Sequence, residues 1–401
     1  MTDDGTVAGD ALRGDVAVIG DGPAGSALAA ALRRHGIDAV LVGPDEPWTA
    51  TYTTWADDVD GLDLLAGADV WAHRFGRITV RFGRTHEVER PYGVFDNELL
   101  RRHLRSGVRH VTATIDDASV VGARLVVDAT GWPSKISGPT GSASGEEPAW
   151  QTAIGIVLPA PPPGALGVPT MMDFSDPGAT IVGRATVPTF AYSLPVAGGW
   201  LVEETVLSAS PPVDPEALLP VLAARLDTSV GELIDAAVSI ERVRIPMGAQ
   251  PPGRSESGPV RYGASAGMIH PATGYSIASA LSGADRVATA IADQIARTDP
   301  TEPIDPAPIR RAVWPDPLRR SRHLHDYGHD VLTGLDRNGI QRFFDAFFDL
   351  PVDTWSPYMR IDTQPRRLAA VMVRMFAVAP WSLRGRLMTG DLRRFSRLLR
   401  P

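Results

Sequence analysis

The stretch Asp15–Gly25 reads DVAVIGDGPAG and decides the fold. Val16, Ala17, Val18 and Ile19 form a short apolar run, the pattern of a parallel strand buried on both faces. Gly20, Gly22 and Gly25 follow with the spacing G-x-G-x-x-G. Gly20 lets the chain turn tightly, Gly22 lets backbone approach a pyrophosphate, and Gly25 lets the next helix pack close to the strand. Ser26 to Arg34, rich in Ala and Leu, continues as a helix with Gly36 as its C-cap, and Ala39–Val42 gives a second strand. The helix N-terminus offers free N–H groups to phosphate. Gly20, Gly22, Pro23, Ala24 and Gly25 are therefore expected to hold a dinucleotide. The end of the second strand is off pattern. An acid usually meets the ribose hydroxyls there, but this chain has Gly43, Pro44 and then Asp45. That leaves the ribose to Asp45, or to backbone and water.

At 401 residues the chain has room for two or three domains. It has no cysteine, which excludes disulfides, thiolate metal sites and a Cys nucleophile, and no metal site is expected. The opening MTDDGTVAGD is acidic and unlike a signal peptide, and no apolar run reaches about 18 residues, so the expectation is a cytoplasmic protein. Charge is uneven: residues 360–401 hold ten Arg and two acids in a chain of net charge -8. A basic tail on an acidic body suggests a contact surface.

In chain order, residues 1–13 read as disordered and 14–45 as the first βαβ unit. Residues 46–94 read as a small antiparallel insert, since RITVRF alternates apolar and polar positions. Asp96–Leu104 is predicted helical, and VTATI (111–115) and RLVVDATG (124–131) are predicted strands. The second of these ends in Asp128-Ala129-Thr130-Gly131, which looks like the second dinucleotide fingerprint of two-dinucleotide flavoproteins. It favours FAD over NAD and adds Asp128, Thr130 and Gly131 to the expected cofactor contacts. A loop at 135–150 leads to several strands over 151–250, with helices at 214–226 and 229–237. A strand at 259–263 and a helix at 274–297 follow, and 300–401 is mostly helical. The fold class expected is α/β: a Rossmann-like FAD-binding domain of the glutathione-reductase-like type, an inserted α+β substrate domain and a helical C-terminal part. The pieces are 14–45, 95–135 and 258–297 for the first, 46–94 and 140–257 for the second, and 298–401 for the third.

Two further stretches carry chemistry. Residues 263–281 read GASAGMIHPATGYSIASAL, a small-residue loop opening a helix, with Gly267, Thr273, Gly274 and Tyr275 expected against a flavin. The plain alternative is a loop and a buried helix. His270 invites an acid–base role, although a His before Pro also serves to fix a loop. In WLVEET (200–205), alternation on a strand sends Glu203 and Glu204 to opposite faces. A Glu in an apolar cavity keeps its proton and can donate it; two solvated strand glutamates are the plain alternative.

Together these residues resemble the FAD-dependent lycopene cyclase family over nearly the whole chain. The carriers are DVAVIGDGPAGSALAAAL, LVGPDEPW, QTAIGIVL, TFAYSLPV, WLVEET, IPMGAQPP, GASAGMIHPATGYS and FFDAFFDLP. The chain departs from the family pattern at Tyr52-Thr53-Thr54-Trp55, at Tyr92-Gly93-Val94-Phe95-Asp96 and at Leu201-Val202. The resemblance implies redox-neutral cyclisation of a linear terpene end, with Glu203 as the acid ahead of Glu204. It also implies a flavin reduced by NAD(P)H. Rivals on the same fold are a cyclase of another prenyl substrate (meroterpenoid type), a flavin monooxygenase or prenyl reductase, and a non-catalytic carrier. A water-insoluble substrate implies a membrane surface as partner. Residues 368–378 are an apolar run too short to span, followed by Arg384, Arg386, Arg393, Arg394, Arg397 and Arg400. A core helix with a solvated Arg edge is the alternative there.

Overall fold

The computed structural model describes residues 12–139, 148–177, 179–182, 185–379, 381, 384 and 385. The chain opens with β1 (Gly14–Ile19), α1 (Pro23–Arg34) and β2 (Ala39–Gly43). Next come β3 (Thr53–Trp55), β4 (Trp71–Phe75), β5 (Ile78–Arg81), β6 (Thr85–Val88), β7 (Tyr92–Phe95), α2 (Asn97–Arg105), β8 (Arg109–Thr112) and β9 (Ala123–Asp128). A strand-rich stretch holds β10 (Trp150–Leu158), β11 (Thr170–Asp173), β12 (Ala179–Val182), β13 (Ala185–Val196), β14 (Gly199–Ala209), α3 (Leu219–Arg225), α4 (Val230–Asp235) and β15 (Ser239–Pro246). Then follow β16 (Val260–Arg261), α5 (Ile277–Ile295), α6 (Pro306–Val313), α7 (Asp316–Thr333), α8 (Arg337–Phe348), α9 (Val352–Trp355) and α10 (Pro365–Val378).

β1 sits at the centre of a five-stranded sheet of order β16-β9-β1-β2-β8, in which every pairing is parallel. Val16 to Ile19 are buried because α1 and α5 cover one face and a smaller apolar cluster covers the other. The alanines of α1 and α5 let these two helices approach closely. β8 begins two residues before the predicted 111–115.

The stretch 46–94 divides. β3, β7 and β4 form their own three-stranded sheet, while the β5–β6 hairpin joins a larger one. That larger sheet runs β15-β10-β14-β13-β11-β5-β6, with β12 paired to β13. β10 reads as a nearly continuous apolar run because both faces of this sheet are covered. On one face Ile154, Val202 and Val206 pack with Leu222 of α3. On the other, Leu201, Leu207, Phe190 and Leu194 meet Phe344 and Phe347 of α8 and Met375 of α10. α8 starts at an Asp336 cap, whose carboxylate accepts from Gly339 N at 2.8 Å, and stacks Phe344 on Phe82 at 4.9 Å.

α10 buries Leu368, Val371 and Met375, so the apolar run 368–378 has a core face. Val373 and Val378 of the same run are exposed. Among the described residues no helix is long and apolar enough to cross a membrane. Arg386 and the four arginines after it lie outside the described residues.

Candidate active site

A groove of about 400 Å³ opens beside the C-terminal ends of β1, β2 and β9, lined by Gly20, Gly22, Pro23, Ala24, Thr130 and Gly131 among others. The three glycines divide the work. Gly20 has φ +104, and a Cβ there would run into the Ala129 backbone. A Cβ on Gly25 would overlap the Gly20 carbonyl, so this glycine sets the helix–strand distance. Gly22 caps α1 with φ -67, and a Cβ there would meet nothing within 4 Å. Gly22 therefore leaves open space in front of a helix N-terminus, as a pyrophosphate requires. The cradle fits FAD.

Several expected contacts lie elsewhere. Asp128 is buried under the groove and organises its wall: its carboxylate accepts from Thr130 N at 3.1 Å, Thr130 Oγ1 at 2.8 Å and Ser137 Oγ at 2.7 Å. Asp45 does not line the groove. It has φ 61, and its carboxylate is held by Arg101 and Arg105, while Glu46 faces the groove instead. Gly267 packs under the Gln250 carbonyl, away from the groove. The helix-opening loop meets the groove through Gly263, Ala264, Ser276 and Ile277, and Thr273 and Tyr275 line a second pocket. Gly274 lines neither pocket: a Cβ there would meet Gln151 Oε1 at 2.6 Å.

The acid motif lies on β14. Cross-strand pairing sets Tyr192, Glu203, Gly155 and Glu241 in one row over β13, β14, β10 and β15. Alternation puts Glu204 on the other face, where it is buried and Arg225 donates to both its oxygens, at 2.6 and 3.1 Å. Both oxygens of this carboxylate are thus engaged by one guanidinium, on the face away from Glu203. Glu203 is densely surrounded by protein yet keeps some accessible surface. Thr205 Oγ1 donates to it at 2.7 Å. Burial, then the charge of Glu241, push its pKa up to about 8 against the Thr205 hydrogen bond. Gly155 lies between the two acids: a Cβ there would press on Leu201 Cδ1 at 2.8 Å and would meet Glu203 Oε2 and Glu241 Cβ at ordinary contact distances of 3.5 and 3.6 Å. Glu241 accepts from Thr51 N and Thr51 Oγ1, both at 2.8 Å, which ties the acid row to the segment whose Tyr52 lines the groove. Sequence reading missed Glu241 and Gly155. The alternation of SIERVRIP was the available signal, but register across three strands was needed to use it.

Tyr92, Tyr192 and Tyr275 gather beside Glu203. The Tyr92 hydroxyl donates to Thr53 Oγ1 at 2.8 Å and lies 2.9 Å from that of Tyr275. Burial pushes Tyr92 up to about 12, so these phenols stay neutral. Beyond them is an apolar slot of about 40 Å³ lined by Met171, Phe190, Tyr192, Tyr275, Phe343 and Phe347, with Gln151 as a polar member. Glu203 stands one strand over from this slot, as the cross-strand neighbour of Tyr192.

His270 has no free nitrogen for acid–base work. Nε2 donates to the Tyr358 carbonyl at 2.8 Å and Nδ1 accepts from Ala272 N at 3.2 Å. Burial lowers its pKa to about 3, so the ring is neutral. It fixes the loop, as does Arg322 of α7, which donates to the carbonyls of Gly267, Ile269, Met247 and Ala249. The catalytic expectation for His270 gives way to this positioning role.

A family model described as Lycopene cyclase protein matches residues 15–385. An uncharacterized carotenoid cyclase of Deinococcus radiodurans is 34% identical over 384 residues, covering 90% of this chain and 90% of that protein. A lycopene beta cyclase of Synechococcus elongatus is 29% identical over 93% of this chain and 95% of its own. In solved structures the fold recurs in a geranylgeranyl bacteriochlorophyll reductase-like protein from Thermoplasma acidophilum. It is 14% identical with TM-score 0.65, covering 93% of this chain and 99% of that one. A probable FAD-dependent monooxygenase from Pseudomonas aeruginosa, 19% identical with TM-score 0.53, covers 83% of this chain and 100% of its own. With the family match spanning both the glycine turn and the acid row, the chain belongs to the lycopene cyclase family.

Proposed function

We propose that this protein binds FAD non-covalently and cyclises the end of a linear terpene, lycopene to a beta-ionone ring, with no net redox change. The observation that carries the proposal is the partition of the motif glutamates: Glu203 stands in the row beside Tyr192, where burial pushes its pKa up, while Arg225 grips both oxygens of Glu204 on the other face. Protonating a trisubstituted alkene needs an acid that keeps its proton in an apolar site. Glu203 gives that proton to the terminal double bond and leaves a tertiary cation. The next double bond attacks it and closes the ring. The Glu203 carboxylate then takes a ring proton, which sets the product double bond and restores the acid. One proton enters and one leaves. Reduced FAD, with NAD(P)H as its reductant, supplies negative charge against the cation.

The rest of the slot is mostly apolar. Tyr and Phe rings line the slot, and aromatic π systems favour a cation. At about 40 Å³ the slot admits a terpene end only when side chains such as Met171, Phe343 and Met359 shift. A prenyl substrate of another kind would use the same acid. Glu203→Gln tests the reading: it should lower cyclisation by about 10²–10⁴-fold with FAD still bound. Equal, small effects of Glu203→Gln and Glu204→Gln would place the acid elsewhere.

A further inference from the structure

Asp21 lies between the first two glycines of the turn and is 6% exposed. Its carboxylate stands against the end of β2, where a Cβ on Gly43 would overlap Asp21 Cγ and Oδ1. The two positions cannot both carry a side chain. Asp21 thus fills the space from which an acid on the second strand would otherwise reach a ribose. Arg105 at 2.9 Å, His110 at 3.1 Å and Asp45 N at 3.0 Å all address Oδ2, and Oδ1 is the oxygen on the Gly43 side. Asp21 and Gly43 both line the groove. Asp21, Asp45 and His110 also place three donor atoms within 4.8 Å of one another, but Arg105 already supplies both carboxylates with their cation.

We propose that Asp21, carried on the first glycine turn, receives the adenosine ribose hydroxyls of the dinucleotide in place of an acid at the end of β2. This rests on the reading of the groove as an FAD site. The Arg105 and His110 contacts hold the carboxylate in one orientation, so it is set before the ligand arrives. Glu46, exposed at the groove edge, is the competing acid.

The test is rebinding of flavin to the full-length apoprotein, followed by flavin fluorescence. The probes are FAD and FAD analogues lacking the 2′- or the 3′-hydroxyl of the adenosine ribose. Wild type should prefer FAD over at least one analogue by about tenfold, since a charged acceptor left without its donor is costly. Asp21→Asn should lose that preference and Glu46→Gln should keep it. Gly43→Asp alone should bind FAD poorly, because the two side chains collide. The exchange Asp21→Gly with Gly43→Asp should recover both binding and preference, and it carries the test if Asp21→Asn does not fold. Preference kept in Asp21→Asn, lost in Glu46→Gln, or absent from the exchange variant would overturn the proposal. A wild-type protein that binds no flavin would overturn the FAD reading itself.

Discussion

Glu203 and Glu241 flank Gly155 in one cross-strand row, and only Glu241 is served by Thr51, through both its backbone N–H and its hydroxyl. Two acids on one face thus have different surroundings. Burial raises the pKa of both: at Glu241 the Thr51 N–H and hydroxyl work against that rise, while at Glu203 the nearby Glu241 carboxylate adds to it.

The stability of the protein should report this. Glu203 holds its proton to about pH 8 in the fold, against an ordinary value of 4.5. Between those values the native state binds more protons than the unfolded chain, so this group costs stability as pH rises through the window. Glu203→Gln removes the cost. In denaturant titrations between pH 5 and pH 9, wild type should lose on the order of a few kcal/mol relative to the variant. Parallel profiles would show that Glu203 is an ordinary carboxylate.

Glu204→Gln should act on the fold. Its partner Arg225 has a side chain only 3% exposed and would be left as a buried, unpaired charge. The expected loss is about 3–5 kcal/mol of unfolding free energy, with chemistry retained by the folded fraction. Thermal melts and activity per folded molecule read both. A stable but inactive variant would contradict the assignment.

The glycines should separate in the same way. Gly22→Val has room for its side chain and should give a folded protein that no longer retains FAD. Gly25→Val would collide with the Gly20 carbonyl and should fail to fold. Circular dichroism with flavin absorbance distinguishes the two. A folded, yellow Gly22→Val protein would remove the phosphate role.

How much of this is legible in the sequence follows from how local each feature is. The glycine turn is read at once because strand, turn and helix are contiguous. Alternation separates Glu203 from Glu204, but it does not say which one Arg225 takes, because that arginine arrives from α3 after a further loop. Glu241 needs the register of β10 between β14 and β15. Asp45 sits next to the expected ribose position in sequence, yet its backbone turn and two arginines carry it away. His270 looks catalytic in a linear reading, and only the fold brings up the Tyr358 carbonyl that occupies it.

The membrane surface expected from the sequence would meet the outer face of α10, where Val373 and Val378 are exposed beside Arg374, and the exposed Trp381 under Arg384. Flotation with vesicles of phosphatidylglycerol should show binding that weakens with salt, each basic residue contributing about 1 kcal/mol. Val373→Glu with Trp381→Ser should reduce it. No flotation at low salt, with full activity on detergent-dispersed substrate, would leave α10 as a structural helix.

In the proposed reaction a proton enters and a proton leaves while no electrons are consumed. Its most direct measurement is the mass of the product formed from lycopene by the FAD-loaded enzyme, anaerobically reduced with dithionite in deuterated water. The expected product has an unchanged atom count and one deuterium per ring, formed over many turnovers for each reducing equivalent added. A product that gains two hydrogens for each reductant oxidised, or a reaction that waits for oxygen, would contradict it.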